Sequence, residues 1–331
     1  MCFYEPFNES QAWLTRAAAL RQSPSSWPSR HSPTDPYYLE YLPLIKEGGG
    51  ILRFEPAMTM QWFIPLGGLR GELRSSEKEY LSLLIAQADR AGKVPVFGGW
   101  RSLGRAWAIK ETFGGLNVFQ YRNLWQQWTS LLSYKTRGDM PFYVSVVDTV
   151  FRGDDPYFSY LVDYGLKHAA RSPAERSQTA MPATKWVRRY PNVPRDEAKV
   201  RRLELLPDHQ AFAMFMGLHI YLYLHAQLSA DMTADVTRMA RDERYRSEIE
   251  RAIWQRTGLE ISFADVADLE GPAVVAMDPA AIDWDEIREH AKVAVRKLSS
   301  VADPDRLMLN ATEFIENTID EIRKGQALPP C

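Results

Sequence analysis

Apolar and polar positions alternate between two spacings along the first 130 residues. Met1 to Phe7 is a short apolar run that reads as a strand starting on the first residue. Ser10 to Leu20 follows at helical spacing, with Trp13, Ala17 and Leu20 predicted on one face. Pro24, Pro28, Pro33 and Pro36 then break any regular element, so this stretch is expected to be a surface loop. Ser76-Glu77-Lys78-Glu79 has the capping-box pattern, with Ser76 predicted as N-cap. The helix it opens would bury Tyr80, Leu84, Ile85 and Ala88 and stop near Gly92. Lys93 to Gly98 and Leu116 to Tyr121 read as strands. Asn123 can cap the next helix, whose apolar face is Leu124, Trp128, Leu131 and Leu132. Helices alternating with strands predict parallel βαβ units.

The pattern changes after residue 170. Pro173, Pro182, Pro191, Pro194 and Pro207 punctuate a basic segment. So long an irregular stretch predicts a lid or binding loop, or disorder. Helical spacing then dominates. Asp208 can cap a helix to about Leu228. Asp242 can cap one that buries Tyr245, Ile249 and Ile253 and stops at Gly258. Asp303-Pro304 places an N-cap and an N1 proline before Leu307, Phe314, Ile315, Ile319 and Ile322. The expected organisation is an α/β core over 1–170, a basic lid over 171–207 and a helical part over 208–331 packed on the same core. Ala211 to Leu228 is borderline for a bilayer span, and a buried core helix is the preferred reading.

Composition narrows the classes. In 331 residues, 45% apolar and 25% charged residues are globular values. Lys plus Arg is 40 and Asp plus Glu is 42, so the net charge of −2 argues against a general nucleic-acid binder. Cys2 and Cys331 are the two cysteines, which excludes a disulfide framework and suits a reducing, cytoplasmic setting. The six histidines show no metal-ligand spacing, and neither a G-x-S-x-G elbow nor a G-x-G-x-x-G loop occurs. His219 and His225 lie on different faces of one helix and are expected to be buried.

The most informative stretch is the strand ending at Tyr121, then Arg122, Asn123 and a helix containing Ser130. A guanidinium at a strand end beside helix N–H groups offers bidentate phosphate geometry. An arginine paired with a carboxylate and a serine bonded back to a helix carbonyl is an equal alternative. Arg101 and Arg105, four residues apart after Gly98-Gly99, and Arg188 and Arg189 in the basic segment are further candidate anion contacts, against a default of solvated charge.

Arg122 followed eight residues later by Ser130 resembles the 3′-phosphate element of sulfotransferases that use 3′-phosphoadenosine-5′-phosphosulfate (PAPS). Leu124 stands where that family usually has proline. Phe3-Tyr4-Glu5-Pro6-Phe7-Asn8 resembles the strand and Glu-Pro segment of carbohydrate sulfotransferases, and Tyr245 to Phe263 is more loosely similar to bacterial members. The resemblance implies a P-loop NTPase-like parallel sheet flanked by helices, with a mainly helical C-terminal half. It implies sulfuryl transfer from PAPS, without a metal, to a carbohydrate or other hydroxylated small molecule. Arg122, Ser130 and Asn123 would bind the nucleotide. Glu5 would be the catalytic base, a carboxylate at a strand end beside Tyr4 and Phe7, or else a salt-bridged group ordering the Pro6 turn.

The family's Gly-rich phosphosulfate loop is not found in the sequence. In the family it precedes the Glu-Pro strand, so the chain is expected to start one βα unit late. Three readings stand at this level: a shortened sulfotransferase, a non-catalytic relative binding a nucleotide or protein partner, or a helical interaction protein.

Overall fold

A computed structural model of the chain describes residues 1–21, 38–59, 61–136, 146, 149–151, 153, 155–169, 206–264, 266 and 277–326. The basic segment expected over 171–207, with Arg188 and Arg189, lies outside the described residues apart from Leu206 and Pro207. The fold is mixed α/β and mostly helical, 65%, with two small parallel sheets. Strand β1 (Cys2–Tyr4) pairs with β2 (Val96–Gly98), and β3 (Val118–Tyr121) pairs with β4 (Met232–Asp235). The first pair is in parallel register, Cys2 with Val96 and Tyr4 with Gly98. A parallel pair needs a crossover, and α1 (Arg16–Arg21) and α2 (Ser75–Arg90) lie within it.

The chain forms two compact units that interleave along the sequence. The first comprises Met1–Phe119, Ser229–Ala234 and Arg238–Glu270. Its core gathers Phe3 and Phe7 around Tyr41, Leu44, Tyr80 and Leu84. Helix α2 turns Tyr80, Leu81, Leu84 and Ala88 inward. It starts at Ser75 with Arg74 as N-cap, not at Ser76 as the pattern predicted. The reason is Glu77, whose carboxylate reaches back to the Arg74 N–H at 3.0 Å and closes the turn two residues earlier.

The predicted helix Ser10 to Leu20 divides into a 3-10 turn at Glu9–Ala12 and α1. Its buried apolar residues are Leu14 and Ala19, whereas Trp13 and Leu20 are exposed. Breaking the helix at residues 13–15 changes the phase, so a single 3.6-residue face no longer connects Trp13 to Leu20. Helix α3 (Ala106–Phe113) follows a 3-10 turn at Trp100–Arg105.

The second unit comprises Gln120–Leu228, Asp235–Thr237 and Gly271–Cys331. It holds α4 (Leu124–Thr136), α5 (Pro156–His168), most of α6 (Asp208–Ser229), α9 (Trp284–Leu298) and α10 (Pro304–Gln326). Between them in sequence, α7 (Val236–Arg241) straddles the two units and α8 (Glu243–Thr257) belongs to the first. Helix α9 packs on α10 and α5, and α10 packs on α4.

Helix α6 is apolar on every side, the pattern of a core helix. It is long and apolar enough to cross a membrane, but 89% of its most apolar window is buried inside the protein. It starts on Asp208 itself, with Pro207 O accepting the Ala211 N–H, one residue before the predicted cap. The signals at α8 and α10 hold where predicted. Asp242 accepts the Tyr245 N–H at 3.0 Å, Gly258 ends α8 in the left-handed region, and Asp303 precedes Pro304 at the start of α10.

Candidate functional site

Glu5 sits one residue past the carboxyl end of β1 and is buried, 8% exposed. Its backbone has φ +48°, a left-handed value that is unusual for glutamate. Its N–H donates to Gly98 O at 2.6 Å, extending the pairing with β2. The carboxylate then turns toward the residues that follow β2. Oε1 accepts the Trp100 N–H at 3.2 Å and Oε2 accepts Arg101 Nη1 at 3.0 Å. Next to it, Tyr80 donates to Pro6 O at 2.8 Å, and burial pushes the Tyr80 phenol far above its ordinary value.

Arg101 and Arg105 are both buried and both used within this unit. Arg105 Nε donates to Glu77 Oε1 at 2.6 Å, Nη1 to Arg101 O at 2.9 Å and Nη2 to Met58 O at 2.5 Å. Its guanidinium lies over the Phe7 ring, 4.2 Å from the centroid. Burial pushes this guanidinium below its ordinary value, and Glu77 pulls it back up. Glu77 was visible in the sequence only as part of a helix start. Its partner is 28 residues away, so no local pattern pointed to the pair.

In the second unit, Arg122 follows β3 directly, as the pattern predicted. Its Nε donates to Gln126 Oε1 at 3.2 Å, and its carbonyl accepts Gln127 Nε2 at 3.1 Å. Asn123 caps α4: Oδ1 accepts the Trp125 N–H at 2.9 Å and the Gln126 N–H at 3.4 Å. Its own N–H donates to Thr237 Oγ1, and its Nδ2 to Asn317 O at 2.7 Å. Gln126 is the hub of this cluster, since it also accepts from Thr237 and donates to Glu321. Gln126, Thr237 and Glu321 carried no sequence signal as a group, because they come from three separate elements. Ser130 lies about two turns into α4, half-buried. Tyr223, which accepts from Gln127, is pushed up to about 12 by burial.

The structure therefore brings Glu5, Arg101 and Arg105 together in the first unit, and Arg122, Asn123 and Ser130 along one strand-to-helix connection in the second. The first group is two buried ion pairs, Glu5 with Arg101 and Glu77 with Arg105, joined through the Arg101 carbonyl. The second is a polar cluster at a capped helix start. No protein-family model, no curated protein and no solved structure matches this chain.

Proposed function

We propose that this is a sulfotransferase-like protein that transfers a sulfuryl group from PAPS to a hydroxylated carbohydrate or small molecule. The observation that carries the reading is the run from β3 through Arg122 into Asn123-capped α4, with Ser130 two turns on. A guanidinium at a strand end, a helix start and a hydroxyl are the donors a 3′-phosphate monoester would use. The reading places β1 and β2 in a P-loop-like sheet and the protein in the cytoplasm. Ligands of such sheets bind outside the carboxyl ends of the strands, where Glu5 stands.

In the proposed reaction the Glu5 carboxylate takes the proton of the acceptor hydroxyl. The acceptor oxygen forms a bond to sulfur while the sulfur–oxygen bond to the nucleotide phosphate breaks. The leaving adenosine 3′,5′-bisphosphate keeps that electron pair. A carboxylate within reach of the hydroxyl supplies general-base catalysis.

Calorimetric titration with adenosine 3′,5′-bisphosphate tests the phosphate site. Wild type and Arg53→Ala are expected to bind alike, with Arg122→Ala and Ser130→Ala weaker by tenfold or more. Adenosine 5′-monophosphate, lacking the 3′-phosphate, should bind wild type no better than the bisphosphate binds Arg122→Ala. No binding to wild type, or equal affinity in all variants, sinks the assignment. One observation favours a second reading, a nucleotide-binding relative without transfer activity: the Glu5 carboxylate is already ion-paired to Arg101. Transfer of labelled sulfate from PAPS to a panel of hydroxylated acceptors, lost in Glu5→Gln, decides between them.

A further inference from the structure

We infer that Arg101 is a positioning residue for Glu5, held in place from behind by the buried Arg105–Glu77 pair. The inference deepens the proposed reading of Glu5 as a base and rests on it for its functional meaning. Three observations carry it.

The first is the shape of the backbone around the Glu5 carboxylate. Glu5 is left-handed at φ +48°, which costs an L-residue free energy and aims its side chain toward the end of β2. Opposite it stands Gly99. A Cβ on Gly99 would fall 2.9 Å from Glu5 Cδ and 3.0 Å from Oε1. The turn after β2 is thus built around this carboxylate, with no room for a side chain in between.

The second is the set of donors facing it. The Trp100 N–H meets Oε1, and Arg101 Nη1 meets Oε2. Two donors on two oxygens fix the carboxylate plane as well as its position. Arg101 comes from a residue 96 positions away in sequence, so only the β1–β2 pairing delivers it.

The third is what immobilises Arg101. Its carbonyl receives Arg105 Nη1 at 2.9 Å, and Arg105 is anchored by Glu77 and Met58 O. Glu77 in turn accepts the Arg74 N–H, so the chain of contacts ends in the first turn of α2. Four buried charged side chains in one network are expensive to desolvate. Apolar residues of similar volume would fill the same space at less cost. A fixed carboxylate at the end of β1 is what the network delivers. Perturbed and buried charge clusters of this kind concentrate at functional sites.

The Trp100 backbone amide reports the arrangement, because its N–H donates to Glu5. In protein labelled with 15N-tryptophan, Trp100→Phe identifies its resonance and Glu5→Gln defines how far it moves when the carboxylate is lost. Arg101→Met is expected to move the amide at least half as far as Glu5→Gln. Arg101→Lys, which keeps the charge on a single ammonium, is expected to move it part of that way. The other tryptophan indole resonances, unchanged, certify the fold, and Arg101→Lys alone decides should Arg101→Met fail to fold. An amide that stays at the wild-type position in either folded variant overturns the proposal. The readout uses no nucleotide and no acceptor. A failed bisphosphate titration would remove the proposed function and leave this result standing, and an unmoved amide would remove the positioning role and leave the phosphate site untouched.

Discussion

Arg105 and Glu77 form an ion pair in which neither side chain has any solvent exposure, with Nε 2.6 Å from Oε1. The pair joins the first turn of α2 to the 3-10 turn after β2. Phe7 covers one face of the guanidinium and Met58 O takes one of its donors. Every charge in the contact is therefore answered inside the protein.

Removing one partner leaves the other buried and uncompensated. Glu77→Ala is expected to destabilise by about 3–5 kcal/mol in urea unfolding. The exposed pair Arg53 and Glu79 is the control, with side chains 59% and 56% exposed. Glu79→Ala should cost less than about 1 kcal/mol. Equal losses from the two variants would contradict the burial argument.

Gly104 lies where the 3-10 turn passes the Phe63 backbone. An added Cβ would fall 2.3 Å from Phe63 O and 2.7 Å from its ring carbon Cε1. Neither is the far end of a flexible chain, so Gly104→Ala should cost about 1–3 kcal/mol. Gly48, with open space at its Cβ position, should accept alanine with a change within about 0.5 kcal/mol. Thermal melts of the two variants provide the comparison.

Acid should weaken the second unit through two histidines. Burial pushes His219 and His290 down to about 4 from the ordinary 6.5. Between those values the unfolded chain binds more protons than the folded one, so stability rises with pH across this window. The contribution is fully present above 6.5 and is lost as pH falls toward 4, on the order of 2–3 kcal/mol for each histidine. Urea midpoints measured from pH 7 to pH 4 should fall for wild type. His219→Gln, which cannot take up the proton, should flatten that slope, and an unchanged slope would count against its share.

Asn123 does two jobs at the start of α4: it caps the helix and its Nδ2 reaches Asn317 O. Asn123→Ala should cost about 1–2 kcal/mol, the loss of a cap together with a neutral hydrogen bond. Asn123→Ser restores a capping oxygen but not the reach to Asn317. It should recover about half of that loss in chemical unfolding. Identical stability of the two variants would mean the cap contributes nothing.

Much of the local structure was legible in the chain before folding. Asn123, Asp242 with Gly258, and Asp303 with Pro304 mark helix ends because a cap acts on N–H and C=O groups within three or four residues. Alternating strands and helices anticipated the parallel pairing of β1 and β2, but not that β3 would leave them for a separate sheet with β4, in a region read as helical. The facing of Trp13 and Leu20 did not, since a short break between a 3-10 turn and α1 shifts the helical phase. The start of α2 was also displaced, because two glutamates at the right spacing compete, Glu79 for a box on Ser76 and Glu77 for one on Arg74, and the structure uses Glu77.

The candidate site divides along the same line. By itself the sequence determined that Arg122 ends a strand, that Asn123 caps the following helix and that Ser130 lies within it, all relationships spanning fewer than ten residues. Only the tertiary structure decided what Glu5, Arg101 and Arg105 do. Their partners lie 96 and 28 residues away. The same arginines read as solvated charge or as anion contacts until β1 pairs with β2 and α2 closes over them. Burial then makes a nearby carboxylate the strongest available partner, because water no longer competes for the guanidinium.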